Sequence, residues 1–378
     1  QTSVIDAQVN PIFFVESAKF YEVTDYLIYA GQQQYTTTVV SNAAFYEGLS
    51  DERKEMLAEV KAELDDFIYD AQKKANDEAL ARIKEAIERT HALLGLPEGY
   101  HVAVMPGSDT GAMEAAMWSL LGQRGVDVFA WDVFGNRWAT DAREELPLQD
   151  LRIFQTPAGQ LPDLSEYDGK RDAVFTLNGT AAGVCIPDYD WIDADREGLT
   201  LCDATSGAFA VDIDWSKIDV LTFSWQKCMG GEAQHGIAIL SPRARQRLRE
   251  YRPSWPVPRI LQLFEAGDET AKIYEGSTIN TPSLLCTEDY LDALKWAAKE
   301  GGVSALIDRT QANFDALADW VEKTDWIDFL AKEPATRSQT SVTLKFSGKE
   351  LEGKSEDERW AVSRRHPLPD SKCPISCS

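Results

Sequence analysis

An aspartate and a lysine, each placed just after a short apolar run, could together hold a reactive cofactor. Asp203 directly follows the run 199–202, and Lys227 follows the run 220–223 after three further residues. A lysine amine can bond to a carbonyl carbon, and a carboxylate can hold a proton on a basic ring nitrogen. Pyridoxal phosphate carries both groups, so the pair indicates a site for this cofactor. A surface lysine and a helix-capping aspartate would give the same pattern.

A turn of small and hydroxylated residues could bind the phosphate of such a cofactor. Residues 106–111 read Pro-Gly-Ser-Asp-Thr-Gly and stand between an apolar run and the helical segment 112–121. Free main-chain N–H groups at a helix start, with the hydroxyls of Ser108 and Thr110, suit a phosphate. The turn matches neither a Walker loop nor a dinucleotide fingerprint, and many strand-to-helix turns look similar.

The elements that must position these residues begin after residue 100. Short apolar runs there alternate with helical segments, which is typical of an α/β fold with a mostly parallel sheet. The runs are 101–105, 126–131, 151–154, 173–177, 199–202, 220–223 and 237–240. They predict seven strands. Ligands of such folds bind beyond the carboxyl ends of the strands, which is where Asp203 and Lys227 stand.

The region before residue 100 follows another pattern. We expect a strand within 35–40, where β-branched residues cluster. A helical run opens at Ser50, a suitable N-cap, and meets neither glycine nor proline before Gly95. Because that run is too long for one ordinary globular helix, we place a change of unit near residue 85.

The region after residue 280 predicts a smaller second domain. Helical segments extend through residue 296 and over 302–320, and a strand-like stretch covers 339–346. The tail 347–378 is charged and then rich in arginine, proline, cysteine and serine, without periodicity. We expect this tail to be poorly ordered.

The amino-acid composition limits the classes of partner that the protein can bind. The 378 residues include 38 lysines and arginines against 62 aspartates and glutamates, a formal net charge of −24. Nucleic acid and anionic membranes are poor partners for so acidic a chain. No apolar run reaches the roughly 18 residues of a membrane-spanning helix, and nothing resembles a signal peptide. We therefore expect a cytoplasmic protein with small-molecule substrates.

The cysteines favour a reducing environment over a metal site. Four of the six stand in apolar runs and are expected to be reduced thiols of the core: Cys185, Cys202, Cys228 and Cys286. Cys373 and Cys377 stand in the tail without a second ligand pair, so we predict no metal.

Several separated motifs together resemble a known family. The segments 106–111, 201–206, 223–236 and 279–283 closely resemble one branch of the phosphoserine aminotransferases, class V enzymes of pyridoxal-phosphate fold-type I. The resemblance covers about 86–346. It implies a large cofactor domain over 86–290, with a mostly parallel seven-stranded sheet flanked by helices. It also implies an incomplete small α+β domain over 291–346.

The resemblance also implies roles for single residues. Lys227 would form the Schiff base, and Asp203 would partner the pyridine nitrogen. The other cofactor contacts would be Ser108, Asp109, Thr110, Phe134, Thr180 and Gln226. Asn280 and Thr281 would reach into the phosphate site of a neighbouring subunit, which implies a homodimer.

Some of these positions have plainer interpretations. Phe134 would serve equally well as a core residue, and Asn178-Gly-Thr180 fits a glycosylation acceptor. We expect His235 to be packed, with no acid or base role, and Trp225 to be structural.

The activity implied by the resemblance is an amino transfer from glutamate to 3-phosphohydroxypyruvate, which gives phosphoserine for serine biosynthesis. Transamination of another amino acid by a different class V enzyme stays open. Cysteine desulfuration is disfavoured, because no cysteine stands in a recognisable mobile catalytic loop.

Both ends of the chain depart from the aminotransferase pattern. Residues 1–85 resemble the C-terminal part of solute-binding proteins of tripartite ATP-independent periplasmic transporters, for example at 45–50 and 72–80. The substrate-clamping arginine near the family's C-terminus has no match, and Arg337 is the candidate substrate contact. A catalytically dead fusion with a solute-binding fragment is therefore a further alternative.

Overall fold

The computed structural model describes residues 7–11, 28–29, 37–41, 43–263, 272–347, 353–355 and 358. The chain divides into two compact units, an N-terminal unit over Gln1–Ala81 and a C-terminal unit over Arg82–Ser378. In the described part, no helix is both long and apolar enough to cross a membrane.

The N-terminal unit contains a small antiparallel sheet and helical residues. Strand β3 (Thr37–Ser41) lies between β1 (Ala7–Pro11) and β2 (Ile28–Tyr29). This confirms the strand predicted within 35–40. A short helix, α1 (Ala43–Glu47), follows it.

The long helical run is a single helix, α2 (Asp51–Leu93), of 43 residues. The expectation that the run is too long for a single helix was wrong. The polar stretch 73–78 interrupts the apolar period but contains only residues that helices tolerate, so nothing there ends the helix. The division between the two units falls inside this helix, after Ala81.

The C-terminal unit is built on one large sheet. The strands in chain order are β4 (His101–Pro106), β5 (Val126–Ala130), β6 (Leu151–Gln155), β7 (Asp172–Thr176), β8 (Asn178–Gly179), β9 (Val184–Cys185), β10 (Thr200–Asp203), β11 (Val220–Ser224) and β12 (His235–Leu240). All except the β8–β9 hairpin form a seven-stranded sheet in the order β4-β12-β11-β10-β7-β5-β6. Only β12 runs antiparallel to its neighbours, so the predicted strands and mostly parallel sheet are confirmed.

Helices and apolar side chains cover both faces of this sheet. Along β4, Val102 and Val104 belong to one buried cluster, whereas Ala103 and Met105 belong to the other. Successive strand residues point to opposite faces, and a parallel sheet normally buries both. The helices among the strands are α3 (Ser108–Leu120), α4 (Val133–Thr140) and α5 (Pro242–Glu250).

The chain after the sheet forms two helices and a small sheet. Helices α6 (Leu284–Lys299) and α7 (Gly302–Glu322) confirm the predicted segments. Strand β13 (Ile327–Phe329) pairs antiparallel with β14 (Leu344–Phe346), so the strand expected over 339–346 is much shorter. Its first part bends instead: the main-chain N–H of Ser341 donates to Oγ of Ser338 at 2.9 Å, and Thr340 donates its hydroxyl to the carbonyl oxygen of Ser206 at 2.7 Å.

Three of the four cysteines that the structure describes are buried, as expected: Cys185, Cys202 and Cys286. Cys228 is exposed, because its apolar-looking surroundings belong to the turn that follows β11. All four are free thiols. Cys373, Cys377 and most of the tail expected to be poorly ordered lie outside the described residues.

Candidate active site

A cavity of about 540 Å³ opens at the carboxyl edge of the large sheet. Its walls come from the ends of β7, β10 and β11, from the start of α3 and from α4 along its whole length. The lining residues are Ser108, Asp109, Thr110, Glu114, Val133, Phe134, Asn136, Arg137, Trp138, Thr140, Asp141, Thr176, Asn178, Thr180, Asp203, Thr205, Ser206, Gln226 and Lys227. Eight of the predicted site residues therefore meet here, although they come from five separate parts of the chain.

The start of α3 is shaped by close backbone approach. Gly107 and Ser108 both adopt left-handed backbone angles, with φ of 78° and 61°. A Cβ at Gly111 would overlap the carbonyl oxygen of Pro106, so only glycine fits this tight first turn. Among the described residues, no group accepts from the main-chain N–H of Asp109 or Thr110. These free donors at a helix N-terminus suit an anion.

Asp203 is held in the cavity wall by two donors. The main-chain N–H of Thr205 donates to Oδ1 at 2.9 Å, and the indole Nε1 of Trp138 donates to Oδ2 at 3.0 Å. Burial raises the pKa of Asp203, and both hydrogen bonds oppose this change because they stabilise the anion. The carboxyl group is therefore fixed in position and retains accepting capacity toward the cavity.

Lys227 lies in a short turn directly after β11, with an exposed side chain. The N–H of Gly230 donates to the carbonyl oxygen of Lys227 at 3.0 Å. The preceding residues anchor the turn, because the buried Trp225 ring stacks on Tyr290 with centroids 4.5 Å apart. A fixed backbone with an exposed amine suits a lysine that must bond to a ligand and move.

Phe134 lies at the mouth of the cavity, where 37% of its surface is exposed. Oδ1 of Asp132 caps α4 by accepting from the N–H groups of Phe134 and Gly135, both at 2.9 Å. The guanidinium of Arg137 lies 5.5 Å from the centre of the Phe134 ring. The interpretation of Phe134 as a core residue is wrong, because the ring is open to the cavity.

Thr180 belongs to a chain of hydroxyl groups. It donates to Oγ of Ser206 at 2.8 Å, which in turn donates to the carbonyl oxygen of Asn178 at 3.0 Å. The Asn178 amide is buried and donates to Ser206 and Thr340. The folded chain thus exposes no amide at Asn178 that a glycosyl transfer could use.

Asn280 and Thr281 do not line this cavity. They line a second, more open cavity of about 580 Å³, together with Ser108 and His235. His235 is packed as expected, and its Nε2 accepts from the N–H of Ser283 at 2.9 Å. Burial lowers the pKa of His235, consistent with this neutral accepting nitrogen.

Arg337 lies away from both cavities. Its guanidinium lies 4.0 Å from the centre of the Phe329 ring, and its backbone forms an isolated bridge with Val184. It therefore packs with the small sheet, and its predicted substrate contact would require the side chain to leave this position.

Several residues that line the cavity were not predicted from the sequence. Trp138 is the most important of them, because it binds Asp203 directly. Its position one helical turn after Phe134 was a usable signal, since residues four apart on a helix share a face. Glu114, Arg137 and Asp141 could not be predicted in this way, because charged residues on a helix usually face solvent.

Two curated relatives decide the family. The phosphoserine aminotransferase of Methanosarcina barkeri is 53% identical over 264 residues, which cover 70% of this chain and 71% of the relative. The one of Methanosarcina mazei is 54% identical over 264 residues, with the same coverage. The chain belongs to the phosphoserine aminotransferase family. This membership confirms the resemblance that the motifs indicated.

Solved structures agree with the family's fold. The phosphoserine aminotransferase of Bacillus circulans subsp. alkalophilus superposes with a TM-score of 0.61 at 18% identity, covering 76% of each chain. A phosphoserine aminotransferase from Trichomonas vaginalis, solved with bound pyridoxal phosphate, superposes with a TM-score of 0.58 at 18% identity. That match covers 69% of this chain and 75% of the other. The expected fold class is confirmed.

The N-terminal part of the chain is similar to a different protein family. Residues 1–93 match the family model of the bacterial extracellular solute-binding proteins, family 7. This confirms the resemblance seen in residues 1–85. The match ends at Leu93, the last residue of α2.

Proposed function

We propose that the chain transfers the amino group of glutamate to 3-phosphohydroxypyruvate and so forms phosphoserine, with pyridoxal phosphate as its cofactor. The observation that carries this proposal is the cavity in which Lys227, Asp203 and the start of α3 converge. The Methanosarcina relatives are named for this activity, and their identity to the chain exceeds 50%.

The unpaired polar groups of the cavity fit this cofactor. In the part of the chain that the structure describes, buried side-chain atoms at the cavity without a hydrogen-bond partner are Asp109 Oδ1, Thr176 Oγ1, Asn178 Oδ1, Thr205 Oγ1 and Gln226 Oε1. Buried polar groups rarely stay unpaired in a folded protein. A bound polar molecule in contact with this wall would supply the missing partners.

Each of these cavity residues would have a separate role toward the cofactor. When bound, pyridoxal phosphate supplies a ring that accepts the electron pair left on a substrate carbon after proton removal. Lys227 would hold the cofactor through its amine and, once displaced, would carry the proton away from that carbon and return it to the cofactor. Asp203 would hold a proton on the ring nitrogen. Phe134 would stack on the ring, and Thr180 would contact the ring hydroxyl.

The phosphate would bind at the start of α3, in the wall of the same cavity. The free N–H groups of Asp109 and Thr110, the hydroxyls of Ser108 and Thr110, and the amide of Gln226 would hold it. A phosphate there would also compensate the positive end of the α3 dipole.

The subunit arrangement is part of the proposal. Asn280 and Thr281 lie in a cavity that borders Ser108, outside the main cavity of their own chain. In a homodimer this segment would reach the phosphate site of the partner subunit. We also propose a cytoplasmic location, in keeping with a serine-biosynthetic role and small-molecule substrates.

The decisive experiment is an absorbance spectrum of the purified protein with pyridoxal phosphate, before and after borohydride, followed by peptide mapping. We expect a yellow protein and borohydride-fixed cofactor on the peptide that contains Lys227. Lys227→Ala should lose both signals. The matched control, Lys170→Ala, removes an exposed lysine of the same unit and should keep them.

Substrate assays then separate the alternatives. Amino transfer between glutamate and 3-phosphohydroxypyruvate supports the proposal, whereas preferred turnover of alanine or serine would replace it with another class V activity. A colourless protein that takes up no cofactor would overturn the proposal and favour the catalytically dead fusion.

A further inference from the structure

A second buried acid lies beside Asp203. Asp109 occupies the first turn of α3 and lines the main cavity, yet only 6% of its surface is exposed. Its Oδ1 is buried, and no hydrogen-bond partner for this atom exists among the residues that the structure describes. A carboxylate in such a position would be costly, because burial removes water from it and Oδ1 gains no donor from the described residues in return.

The two acids are brought together by the sheet. Asp203 ends β10 and pairs in register with Thr222 on β11, and α3 packs across β10, β11 and β12. The first turn of α3 therefore lies over the strand end that carries Asp203. Both side chains line the wall of the same cavity.

We propose that Asp109 is a positioning residue: its carboxyl group keeps a proton and donates it in a hydrogen bond to the carboxylate of Asp203. This rests on the proposed function, in which Asp203 meets the ring nitrogen of the cofactor. Asp109 would hold Asp203 as an anion in one orientation, as the N–H donors of Thr205 and Trp138 do from the other side.

The electrostatic environment favours a protonated Asp109 beside an ionised Asp203. Two buried like charges in contact destabilise each other, so one carboxyl group must stay protonated. Asp203 accepts two N–H hydrogen bonds, which stabilise its anion, whereas no N–H donor reaches Oδ1 of Asp109 in the described part of the chain. The side chains of Thr222 and Thr205 lower the pKa of Asp109, but burial and the charge of Asp203 have larger effects in the other direction. Burial, and then the charge of Asp203, raise the pKa of Asp109 well above its usual range.

Other charged groups at the cavity do not reverse this assignment. Glu114 and Asp141 would add negative charge and so favour the protonated acid, whereas Arg137 and Lys227 are exposed to solvent. The charge of buried Asp132 raises the pKa of Asp203, but by less than the hydrogen bonds of Thr205 and Trp138 lower it. A negative Asp109 side chain would also repel the phosphate proposed for the start of α3. Of the roles implied for Asp109, only its main-chain N–H would serve the phosphate.

Infrared spectroscopy of the cofactor-free protein tests the proton directly. At neutral pH we expect the carbonyl stretch of a protonated carboxyl group, which Asp109→Asn should remove. Asp141→Asn deletes an acid from the same cavity and should keep the band. Absence of the band in the unmodified protein, or its persistence in Asp109→Asn, would overturn the proposal whether or not the cofactor binds.

Cofactor affinity tests the hydrogen bond. Asp109→Ala removes the donor and should weaken pyridoxal-phosphate binding about 10- to 100-fold, as expected for a lost hydrogen bond to a charged group. Asp109→Asn keeps a donor of the same size and should bind within about threefold of the unmodified protein, measured by absorbance titration. Equal affinities for both variants would contradict the proposal. If Asp109→Ala does not fold, the infrared comparison still decides.

Discussion

The two parts of helix α2 have opposite surroundings although they belong to one continuous helix. In residues 51–81, Met56, Val60, Leu64 and Phe67 are all exposed. In residues 82–93, Ile83 is 4% exposed and packs in the core of the C-terminal unit. An apolar period along a helix therefore shows which face could be buried, and only tertiary contacts decide whether it is.

Tryptophan fluorescence can read this difference, because all 11 tryptophans lie at residue 118 or later. Their emission reports the unfolding of the C-terminal unit alone. A substitution that changes the denaturation midpoint of this signal must act on that unit.

The largest expected effect on the stability of the C-terminal unit comes from the loss of a buried ion pair. Arg247 on α5 contacts Asp172 of β7 at 2.6 Å, and both side chains are almost fully buried. Arg247→Ala should lower the free energy of unfolding by about 3–5 kcal/mol, because it leaves an unpaired buried charge. Urea denaturation followed by tryptophan emission measures the loss.

The matched control for that pair lies in the N-terminal unit. Lys74 and Glu78 approach to 3.9 Å with both side chains largely exposed. Lys74→Ala should leave the tryptophan transition unchanged, since such surface pairs contribute at most about 1 kcal/mol. A shift of this transition comparable to that of Arg247→Ala would break the contrast between the units.

A second pair of substitutions tests helix α2 itself. Ile83→Ala should destabilise the C-terminal unit by about 2–5 kcal/mol, because it removes buried apolar volume. Val60→Ala, on the exposed part, should change stability by less than about 0.5 kcal/mol. A large effect of Val60→Ala on the same transition would mean that its face is covered in solution.

The smallest expected effect is on the pH dependence of the stability of the C-terminal unit. All four histidines lie at residue 91 or later, and burial holds the pKa of His235 below 6.5. The unfolded chain takes up this proton near pH 6.5 and the folded chain only at lower pH, so the contribution of His235 falls as the pH drops below about 6.5.

The comparison of His235→Gln with the unmodified protein isolates that contribution. The glutamine oxygen can still accept from Ser283 but does not titrate, so the variant should lose less stability between pH 7.5 and pH 5.5. Identical losses would show that His235 plays no part in the acid sensitivity of the C-terminal unit.

Local patterns predicted the strands of the large sheet and the residues that follow them. Strands such as β10 and β11 are short apolar runs that end in polar residues, and the carboxyl edge of a parallel sheet brings those residues together. For this reason Asp203 and Lys227 could be placed in one cavity without knowledge of any contact.

Contacts between distant residues could not be predicted in this way. The bond from Trp138 to Asp203, the bond from Ser283 to His235 and the position of Arg337 over Phe329 depend on how helices and turns pack on the sheet. The continuity of α2 was missed because helix length in the sequence was judged against ordinary globular helices.

Gly236 takes no part in the proposed reaction, yet the space around it strictly limits which residue can stand there. A Cβ there would overlap the carbonyl oxygen of Ser108, so even alanine would push β12 away from the start of α3. In a survey of tolerated substitutions, Gly236 would therefore look as restricted as Lys227. Intolerance to change at this edge of the sheet marks the space that backbone needs as well as the atoms that react.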